Sequence, residues 1–562
     1  MNILGLNYFY HDTTASIVKD GELVVAIEEE RLTRNKHTWS FPEKSAAKVI
    51  EIAGLALDDI DYVAVSIQPR LNLGPRIRYG LANLNNAKSF VRHELFKSWS
   101  TQRTFWQWFN KTWGSAKKKP EVHFVPHHKS HAVGSFFVSP YENAALLGID
   151  GSGEWATSFL GYGEGIDYKE FKQSYFPNSL GSFYEAITQF CGFRPNYDEG
   201  KTMGLAPLGD ANVFYDKMSK LVSIDAEGGI HVDLSYFSYQ YWGHQRFSNK
   251  FVNTFGNPRS KNGSFEEHHL NVAAAAQRVL EDRILEICEI LYTKTNSDYL
   301  VVAGGVALNS VANGRIVRES SFKDIYVMPA AGDNGTGIGA SYYVYNKILG
   351  NKRKFVHLNP YVGNSYSNKE IDKLIKECKL NAEYCEDICS IAAGLLNEGN
   401  IIGWFQGRME IGPRSLGNRS ILANPTLPNM KDKINAEVKH REAYRPFAPS
   451  CTVEAKNDFF DISVEAPFML KVCDVLPAMI DRLPAITHTD GSARLQTVRQ
   501  DVNPRYHELL TKFGELSGIP VLLNTSFNVM GEPIVESPMH AIRCFFSTGL
   551  DVLVLGDYLI RK

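Results

Sequence analysis

Two histidines and two aspartates have the residue types of a metal site. His127 and His131 lie four residues apart in the run HHKSH, so on a helix both imidazoles would face the same side. Asp150 in GIDGSGE and Asp333 in AAGDNGTG each stand in a glycine-rich loop. Such a histidine pair is by itself more often two surface residues, but the two loop aspartates favour one shared ion. The mixed ligands suit iron, manganese or zinc alike, whereas His128 faces another side of the helix and is predicted not to bind.

A second set of candidate residues consists of cations in the last 150 residues of the chain. They lie in segments punctuated by glycine and proline, whereas cations on a solvated helix normally alternate with acids. Because guanidinium groups bind phosphate oxygens bidentately, the set predicts a pocket for phosphorylated substrates, with surface cations as the alternative interpretation. The cations are Arg414, Arg419, Lys439, Arg441, Arg445 and Arg494, and the polar residues expected to complete the pocket after an apolar strand are Asn524, Ser526 and Asn528.

The segment VVAGGVALNSVANGR has the glycines of a nucleotide-binding loop. It follows a predicted helix over residues 270–292 and a short predicted strand, DYLVVAGG. Gly304 and Gly305 would let a base or a ribose lie against the main chain, and Asn309 could read polar edges. A simple turn at a strand end is the alternative. A nucleotide cleft is favoured because the segment shares its domain with two other polar glycine loops.

The elements that must position these residues follow a repeated order. NILGLNY reads as a strand, FYHDTTA as a polar loop, and SIVKDGELVVAIEEER as a hairpin with its turn at Asp20 and Gly21. A similar order returns in AALLGIDGSG and EWATSFLGYGEG. The sequence therefore predicts a duplicated α/β unit with one polar loop per half facing a cleft, as in actin-like ATPases and sugar kinases.

The composition is that of an ordinary soluble globular protein of two or three domains. The chain has 562 residues, of which 44% are hydrophobic and 22% charged, and it contains no apolar run of membrane-spanning length. No signal peptide is expected, because the opening residues lack a basic region and read as a strand. Eight scattered cysteines form no CxxC pair, which argues against zinc ribbons and disulfide frameworks and predicts a cytoplasmic location.

Residues 68–119 form a basic and aromatic segment. They carry eleven lysines and arginines against one acid, Glu94. This mixture could bind nucleic acid, an anionic substrate or a membrane surface, or it could be an amphipathic helical insertion whose aromatic rings pack on the main domain. The aromatic residues are Tyr79, Phe90, Phe96, Trp99, Phe105, Trp106, Trp108, Phe109 and Trp113.

Longer motifs run through nearly the whole chain. The first part contains GLNYFYHDTTASIV, HHKSHA, GIDGSGE, SLGSFYEAITQFCGFRPNYDEGKTMGLAPLG, AGGVALN and PAAGDNGTGIGA, and the second contains GRMEIGPRSLGNRSILANP, VKHREAYRPFAP, HTDGSARLQTV and PVLLNTSFNVMGEPIVESP. Together they resemble the carbamoyltransferases of the nodulation protein U and cephamycin carbamoyltransferase family. No family motif is recognised in residues 68–119, which is where acceptor specificity would have diverged.

The resemblance implies an α/β protein of two domains. Residues 1–355 would form an actin-like carbamoyl-transfer domain, similar to the tRNA threonylcarbamoyl-transfer enzyme and carrying residues 68–119 as an insertion. Residues 356–562 would form a YrdC-like α/β domain that makes an adenylate. The boundary is placed where ASYYVYNKIL, the last predicted helix of the first domain, gives way to the turn-rich GNKRKFVHLNPYVGNS.

The resemblance also implies a two-step reaction. The YrdC-like domain would join carbamoyl phosphate and ATP, supplied with Mg²⁺, into carbamoyl adenylate, and the first domain would pass the carbamoyl group to a hydroxyl of a small-molecule acceptor such as a natural product or a sugar. AMP would be released. Keeping both steps in one chain protects a mixed anhydride from water. Neither a nucleic-acid partner nor a membrane span is expected.

Site residues follow from the resemblance position by position. His127, His131, Asp150 and Asp333 match the metal ligands of the family, for which iron(II) is expected. An alcohol is a weak nucleophile and needs a base, for which His11 is chosen with Asp12 to orient it; a histidine that caps its turn is the alternative. The positions that resemble the nucleotide contacts are Gly151, Gly181, Glu185, Lys201 and Gly204.

Three other functions remain open at this point. Transfer of threonylcarbamoyl to tRNA would use the same first domain and would suit the basic segment, but the second half argues against it. A hydrogenase-maturation carbamoyltransferase would share both domain types, but the CxxC pairs expected there are absent from the sequence. A protein that senses nucleotide or carbamoyl phosphate would bind these molecules without releasing AMP.

Overall fold

In a computed structural model, residues 1–8, 10–83, 88–91 and 98–562 are described. They form two compact units, one of Met1–Val24 with Trp39–Val356 and one of Val25–Thr38 with His357–Lys562. The predicted boundary near residue 355 assigned Val25–Thr38 to the first domain, but this segment, which includes helix α1 (Glu29–Thr33), belongs to the second unit. Of the residues named above, Glu94 and Phe96 lie outside the described residues.

The first sheet has the strand order β3-β2-β1-β4-β5. Its strands are β1 (Asn2–Asn7), β2 (Thr14–Lys19), β3 (Glu22–Glu28), β4 (Tyr62–Val65) and β5 (Glu121–Phe124). Because β1 lies between antiparallel β2 and parallel β4, it is buried along nearly its whole length. The predicted hairpin is present: Asp20 and Gly21 both have positive φ, 51° and 90°, as a two-residue turn matched to the strand twist requires.

The second sheet repeats the first, with the order β12-β11-β6-β7-β8. Its strands are β6 (Asn143–Gly153), β7 (Ala156–Glu164), β8 (Asp167–Lys172), β11 (Tyr299–Ala303) and β12 (Asp324–Val327). Strands β9 (Val222–Ile224) and β10 (Ile230–Val232) form a separate hairpin. In each sheet the first strand pairs with an antiparallel hairpin on one side and with later parallel strands on the other. The predicted duplication is therefore visible in the strand order.

Helices α6 and α13 pack against the two sheets and against each other. The helices of the first unit are α2 (Glu43–Ile52), α3 (Leu73–Ala82), α4 (Lys88–Val91), α5 (Ser98–Trp113), α6 (His127–Phe137), α7 (Leu180–Phe190), α8 (Glu199–Leu205), α9 (Tyr215–Met218), α10 (Asn249–Phe255), α11 (Glu267–Thr295), α12 (Ser310–Glu319) and α13 (Thr336–Tyr342), which continues as a π-helix over Tyr343–Ile348. Close contact of α6 with α13 requires glycine, since a Cβ on Gly134 would lie 2.3 Å from the Cα of Gly339. This contact places the residues at the start of α6 beside those before α13.

Helix α5 shows how part of the basic and aromatic segment packs. Phe105, Trp108, Phe109 and Trp113 are buried, and the Trp113 indole Nε1 donates to the Leu57 carbonyl at 3.1 Å. On the other side of the helix Trp99 and Trp106 are 65% and 41% exposed, and the basic residue Lys111 pairs with Glu43 at the surface. Helix α5 is thus an amphipathic helix on the first unit.

The second unit is built on one sheet of the order β13-β22-β21-β14-β15-β20-β16-β19-β18-β17. Its strands are β13 (Ala382–Tyr384), β14 (Ile402–Phe405), β15 (Arg419–Ala423), β16 (Ala448–Thr452), β17 (Phe460–Asp461), β18 (Lys471–Val475), β19 (Ser492–Val498), β20 (Val521–Ser526), β21 (Val552–Leu555) and β22 (Tyr558–Arg561). Adjacent residues face opposite sides: Ile421 and Leu523 lie in one apolar cluster, whereas Leu422 and Leu522 lie in another. Both faces of the sheet are therefore covered, by α14 (Asn368–Glu377), α15 (Ile388–Asn397), α16 (Met430–Lys433) with the π-helix Ile434–Lys439, α17 (Lys456–Phe459), α18 (Pro504–Ser517) and α19 (Pro538–Phe546).

Both units are mixed α/β structures. Among the helices that the structure describes, none combines the length and the apolar character needed to cross a membrane.

Candidate functional site

The four predicted metal ligands converge at the N-terminus of α6. His127 Nε2 lies 3.3 Å from Asp150 Oδ2 and 3.4 Å from Asp333 Oδ1. His131 Nε2 lies 3.0 Å from His127 Nε2 and 3.3 Å from Asp333 Oδ1. Atoms bound to one ion at about 2.0–2.2 Å, at angles near those of a tetrahedron or an octahedron, are separated by roughly 2.8–3.6 Å. The four residues therefore fit a single metal ion.

The charges in this cluster suit a cation. Burial acts to raise the pKa of Asp333, but the imidazoles of His127 and His11 lower it more, so the pKa lies well below its ordinary value. Burial also lowers the pKa of His127, yet the carboxylates of Asp333 and Asp150 raise it well above its ordinary value. Two ionised carboxylates beside two imidazole nitrogens form a donor set of the N2O2 kind.

His128 is turned away from the cluster. Its side chain is buried, and its Nε2 lies 2.9 Å from the carbonyl oxygen of Ala156. Burial and the neighbouring His127 lower the pKa of His128 to about 3, so the ring is neutral. A neutral ring held by a main-chain carbonyl has a structural role here.

The predicted glycines at Asp150 hold its loop in place. The Gly305 amide donates to Asp150 Oδ1 at 3.0 Å, which leaves Oδ2 facing the histidines. A Cβ on Gly181 would lie 2.7 Å from the Gly151 nitrogen, and one on Gly304 would lie 2.2 Å from the carbonyl oxygen of Ile149. The structure therefore brings Gly151, Gly181, Gly304 and Gly305 together around Asp150.

Glu154 is a site residue that the sequence analysis missed. Its carboxylate accepts hydrogen bonds from the His127 amide at 3.1 and 3.2 Å and from the Gln68 amide at 2.5 Å. It thereby caps the helix that carries both histidine ligands. Glu154 and Trp155 have φ of 42° and 92°, which is costly for non-glycine residues and concentrated at functional sites. The signal in the sequence was an acid directly after the glycine-rich loop, in GSGEW.

The predicted base, His11, pairs with Asp12 in the first polar loop. His11 Nδ1 lies 2.9 Å from Asp12 Oδ2. The Asn7 side-chain amide donates to the carbonyl oxygens of His11, Asp12 and Asp333, so it ties this loop to the metal cluster. Burial lowers the pKa of His11, but Asp12, Asp333 and Asp150 raise it to about 10. A cation bound by Asp150 and Asp333 would oppose two of these three carboxylates and lower the pKa again.

Glu185 lies close to Gly151 in the loop of Asp150 but is paired with Arg246, a residue that was not predicted. Arg246 Nη1 donates to Glu185 Oε2 at 2.6 Å, and burial nevertheless raises the pKa of Glu185 above its ordinary value. The side chains of Lys201 and Asp198 form an ion pair of 3.1 Å at the start of α8, the helix that also contains Gly204. Arg246 was missed because YWGHQRFSNK carries no glycine-rich or acidic motif.

Asn309 differs from the prediction. Its side chain is buried, its Oδ1 accepts from the Ala312 amide at the start of α12, and it exchanges hydrogen bonds with Gln277 of 3.0 and 3.1 Å. These contacts use the amide that was expected to read a nucleotide. Asn309 is therefore a helix cap that shapes the loop.

Four of the predicted cations of the second unit form a cluster, which we call the cation pocket: Arg414, Arg441, Arg445 and Arg494. Burial lowers the pKa of Arg494 well below its ordinary value, and the three other guanidinium groups lower it further. Burial and Arg445 lower the pKa values of Arg414 to about 10 and of Arg441 to about 9. The Nε atoms of Arg414 and Arg494 are buried without a hydrogen-bond partner among the described residues. Mutual repulsion and unused donors favour a bound anion.

Arg419 and Lys439 do not join this pocket as predicted. The Arg419 guanidinium is fully buried and donates to the main-chain carbonyls of four residues, Gln406, Asn418, Asn364 and Gly407. The Lys439 ammonium donates to the carbonyl oxygens of Ser526 and Asn528 and to their side chains at 3.2 and 2.9 Å. Both cations therefore hold loops of the protein itself.

The polar residues of β20 are likewise engaged. Asn524 is 1% exposed and donates to Ser450 Oγ and Gln496 Oε1, both at 3.0 Å. Ser526 Oγ donates to Asn528 Oδ1 at 2.7 Å, and the side-chain Nδ2 of Asn528 donates to the Glu532 carbonyl at 2.7 Å. Asn524 thus belongs to the interior, whereas Ser526 and Asn528 order the loop that follows the strand.

The structure thus defines a two-unit α/β protein with a buried cluster of two histidines and two aspartates in one unit and four neighbouring guanidinium groups in the other. Residues 2–342 match the family domain described as Carbamoyltransferase N-terminus, and residues 393–562 match the one described as Carbamoyltransferase C-terminus. The chain belongs to the carbamoyltransferase family and is a transferase. The predicted family is confirmed.

Relatives extend along the whole chain. The uncharacterized protein sll1178 of Synechocystis sp. is 39% identical over 100% of this chain and 97% of its own length. Nodulation protein NolNO of Sinorhizobium fredii is 36% identical over 99% of this chain and 80% of its own length. The 3'-hydroxymethylcephem-O-carbamoyltransferase of Amycolatopsis lactamdurans is 33% identical over 53% of this chain and 55% of its own length.

Solved structures are more distant. Component A of the Acidaminococcus fermentans (R)-2-hydroxyglutaryl-CoA dehydratase matches 62% of this chain and 99% of its own, with 14% identity and a TM-score of 0.32. Full-length HypF in a phosphate- and nucleotide-bound form matches 62% of this chain and 47% of its own, with 12% identity and a TM-score of 0.30.

Proposed function

We propose that the protein is an ATP-dependent O-carbamoyltransferase that acts on a hydroxyl of a small molecule, such as a natural product or a sugar. One observation carries the proposal: the chain holds both a His2Asp2 cluster suited to a metal ion and a cation pocket suited to phosphate oxygens. One relative is named 3'-hydroxymethylcephem-O-carbamoyltransferase, and we extend from it only the class of reaction. Since all eight cysteines are free thiols, we place the enzyme in the cytoplasm.

The first step uses the second unit, for which we propose a YrdC-like fold. Carbamoyl phosphate, ATP with Mg²⁺ and one water molecule give carbamoyl adenylate, phosphate and pyrophosphate. Phosphate oxygens of the substrates bind the four guanidinium groups of the cation pocket, which lose their mutual repulsion when an anion binds between them. Arg419 and Lys439 position the surrounding loops, because they donate to the protein's own carbonyl groups.

The second step uses the first unit, for which we propose an actin-like fold. His127, His131, Asp150 and Asp333 would hold the ion, iron(II) by resemblance or manganese or zinc by chemistry, and such an ion would supply Lewis acidity toward the carbamoyl carbonyl and the adenylate phosphate. The glycine loops around Asp150 accept the nucleotide, and Glu185 contacts its ribose, an assignment that rests on the resemblance to the family. The step forms a carbamate ester on the acceptor oxygen and releases AMP.

His11 takes the proton of the acceptor hydroxyl. Its Nδ1 lies against Asp12 Oδ2, and we assign acceptance of the proton to its Nε2. A cation held by Asp150 and Asp333 would oppose the charge of these two carboxylates and would so return the pKa of His11 toward the range in which an imidazole works as a base.

Replacing His11 by alanine tests this assignment. We expect transfer from separately supplied carbamoyl adenylate to fall by about 100-fold or more, because the hydroxyl loses its base. Pyrophosphate release from ATP and carbamoyl phosphate should stay at the wild-type rate, since the cation pocket is unchanged. Asp12→Asn, which keeps the shape of the pair, should cause a smaller loss. Wild-type transfer by His11→Ala would show that another group removes the proton.

The proposed function is tested by incubating the metal-loaded protein with ATP, Mg²⁺ and iron(II), with and without carbamoyl phosphate. We expect pyrophosphate to form only when carbamoyl phosphate is present, and AMP to follow when a hydroxylated acceptor takes the carbamoyl group, so acceptors can be screened by mass for a carbamoyl adduct. If folded, metal-loaded protein forms neither product, the proposal is wrong. Activity with threonine and bicarbonate, or binding without turnover, would then identify the alternative.

A further inference from the structure

The segment Val25–Thr38 carries an unusual amount of buried charge. Glu28, Glu30 and Arg31 are only 3%, 8% and 1% exposed, although they lie in a segment that precedes the rest of the second unit by more than three hundred residues. Arg31 Nε donates to Glu28 Oε2 at 2.9 Å and lies 3.6 Å from Glu30 Oε1. Buried ion pairs of this kind are weak evidence for stability, so their position calls for a role.

The Glu28–Arg31 ion pair forms hydrogen bonds with both main-chain polar groups of Gly412, which lies in a distant loop. Arg31 Nη2 donates to the carbonyl oxygen of Gly412 at 2.7 Å, and the Gly412 amide donates to Glu28 Oε1 at 3.2 Å. Gly412 has a φ of 104°, which a residue with a side chain rarely adopts. Pro413 follows Gly412, and the ring of Pro413 restricts its own φ angle. The chain therefore enters Arg414 in a fixed direction.

Glu410, a residue of the same loop, also holds it in place. This residue is 1% exposed, and its Oε1 accepts from the amides of Leu416 and Arg419 at 2.7 and 3.2 Å. The turn around Arg414 is thus anchored before it at Gly412 and after it at Leu416. Glu28 and its partner Arg31 anchor Gly412, and Glu410 anchors Leu416. None of these three anchoring residues belongs to the cation pocket.

We propose that Glu28 and Arg31 are positioning residues for the phosphate-binding step: they clamp Gly412 so that Arg414 points into the cation pocket. The inference rests on the proposed function and deepens it, because it makes a segment from the start of the chain a working part of the adenylate-forming unit. The clamp needs the fork of an arginine, since Nε and Nη2 serve different partners. Misplacement of Arg414 by a fraction of an ångström weakens phosphate binding even when every pocket residue is present.

Arg31→Lys is the variant that tests the clamp. It keeps the positive charge between the carboxylates but cannot bridge Glu28 and Gly412 in the same way. We expect kcat/KM for pyrophosphate release to fall about 10- to 100-fold, chiefly through KM, and the rise in Tm that pyrophosphate gives the wild-type protein to be reduced. Transfer from supplied carbamoyl adenylate and the bound metal should stay within about twofold of wild type, as a change confined to the second unit requires.

Arg353→Lys is a matched control in the first unit. Arg353 also uses its fork on main-chain carbonyls, those of Phe137, Tyr141 and Ser139, so the substitution causes a similar loss of contacts away from the pocket. We expect it to leave KM and the pyrophosphate effect unchanged. If Arg31→Lys is too unstable to study, Glu28→Gln removes the charge without changing the shape and should raise the same KM about threefold to tenfold.

Two outcomes would overturn the inference. One is wild-type KM and a full pyrophosphate effect in Arg31→Lys or Glu28→Gln. The other is an equal loss in Arg353→Lys, which would mean that general destabilisation explains the result. A wild-type protein without carbamoyl phosphate-dependent pyrophosphate release would instead contradict the proposed function, and pyrophosphate binding would still decide whether the clamp exists.

Discussion

Replacement of His127 by alanine is expected to abolish stoichiometric metal binding and to lower carbamoyl transfer from supplied adenylate by at least about 100-fold. His127 is fully buried, and its Nε2 lies within 3.4 Å of His131 Nε2, Asp150 Oδ2 and Asp333 Oδ1. A water molecule in the space of the missing ring would not replace this nitrogen ligand without a loss of affinity. Two carboxylates and one imidazole would remain, a set with one ligand fewer and less affinity for the ion. Metal content by elemental analysis and single-turnover transfer measure the two effects.

His128→Ala is the matched control for this prediction. His128 is the adjacent residue and is also buried, but its Nε2 contacts the Ala156 carbonyl and not the cluster. We expect a loss of roughly 1–3 kcal/mol in the free energy of unfolding, because that carbonyl loses its partner. Metal content should not change. Metal loss in His128→Ala, or full metal content in His127→Ala, would contradict the ligand assignment.

Replacement of Arg494 by methionine is expected to separate activity from stability. Burial and the guanidinium groups of Arg414, Arg441 and Arg445 all disfavour the charge of Arg494, so an apolar side chain of similar length should raise the free energy of unfolding by about 1–2 kcal/mol without ligand. The same change removes a phosphate-binding group, and we expect pyrophosphate release to fall by at least about 100-fold. Thermal unfolding with and without pyrophosphate, together with the release assay, measures both effects.

Arg499→Met provides the comparison. Arg499 follows the same strand but is paired at the surface with Asp501 at 2.9 Å, so it neither repels another guanidinium nor faces the pocket. Its replacement should leave both the release rate and the stabilisation by pyrophosphate unchanged. Retention of full activity in Arg494→Met would show that phosphate binds elsewhere in the second unit.

The metal cluster could be predicted from the sequence because its signals are local. A histidine pair at i and i+4 requires only a helix, and α6 begins at His127. The loops of Asp150 and Asp333 carry glycines whose hydrogen atoms leave room for the neighbouring chain. The duplicated strand order was also predictable, because each repeat begins with a buried strand followed by a hairpin.

The roles of the buried polar residues could not be predicted in the same way. Arg419 and Arg494 look alike in the sequence, and each has a buried Nε atom without a hydrogen-bond partner among the described residues, but the Nη atoms of Arg419 donate to main-chain carbonyls whereas Arg494 is surrounded by three other guanidinium groups. The difference depends on which loops fold beside each side chain, and residue type does not encode that. Glu154 and Arg246 escaped for the same reason: their partners, the His127 amide and Glu185, are far away in the sequence.

The division of the second unit into Val25–Thr38 and His357–Lys562 has a consequence for how the protein is made. A ribosome that adds about 5–20 residues per second needs roughly 15 to 60 s to synthesise the residues between these two parts. All four metal ligands have been made before His357 is added, whereas Gly412 and the cation pocket have not. Nascent chains should therefore gain the ability to bind metal while still attached to the ribosome, and the ability to bind phosphate only near the end of synthesis.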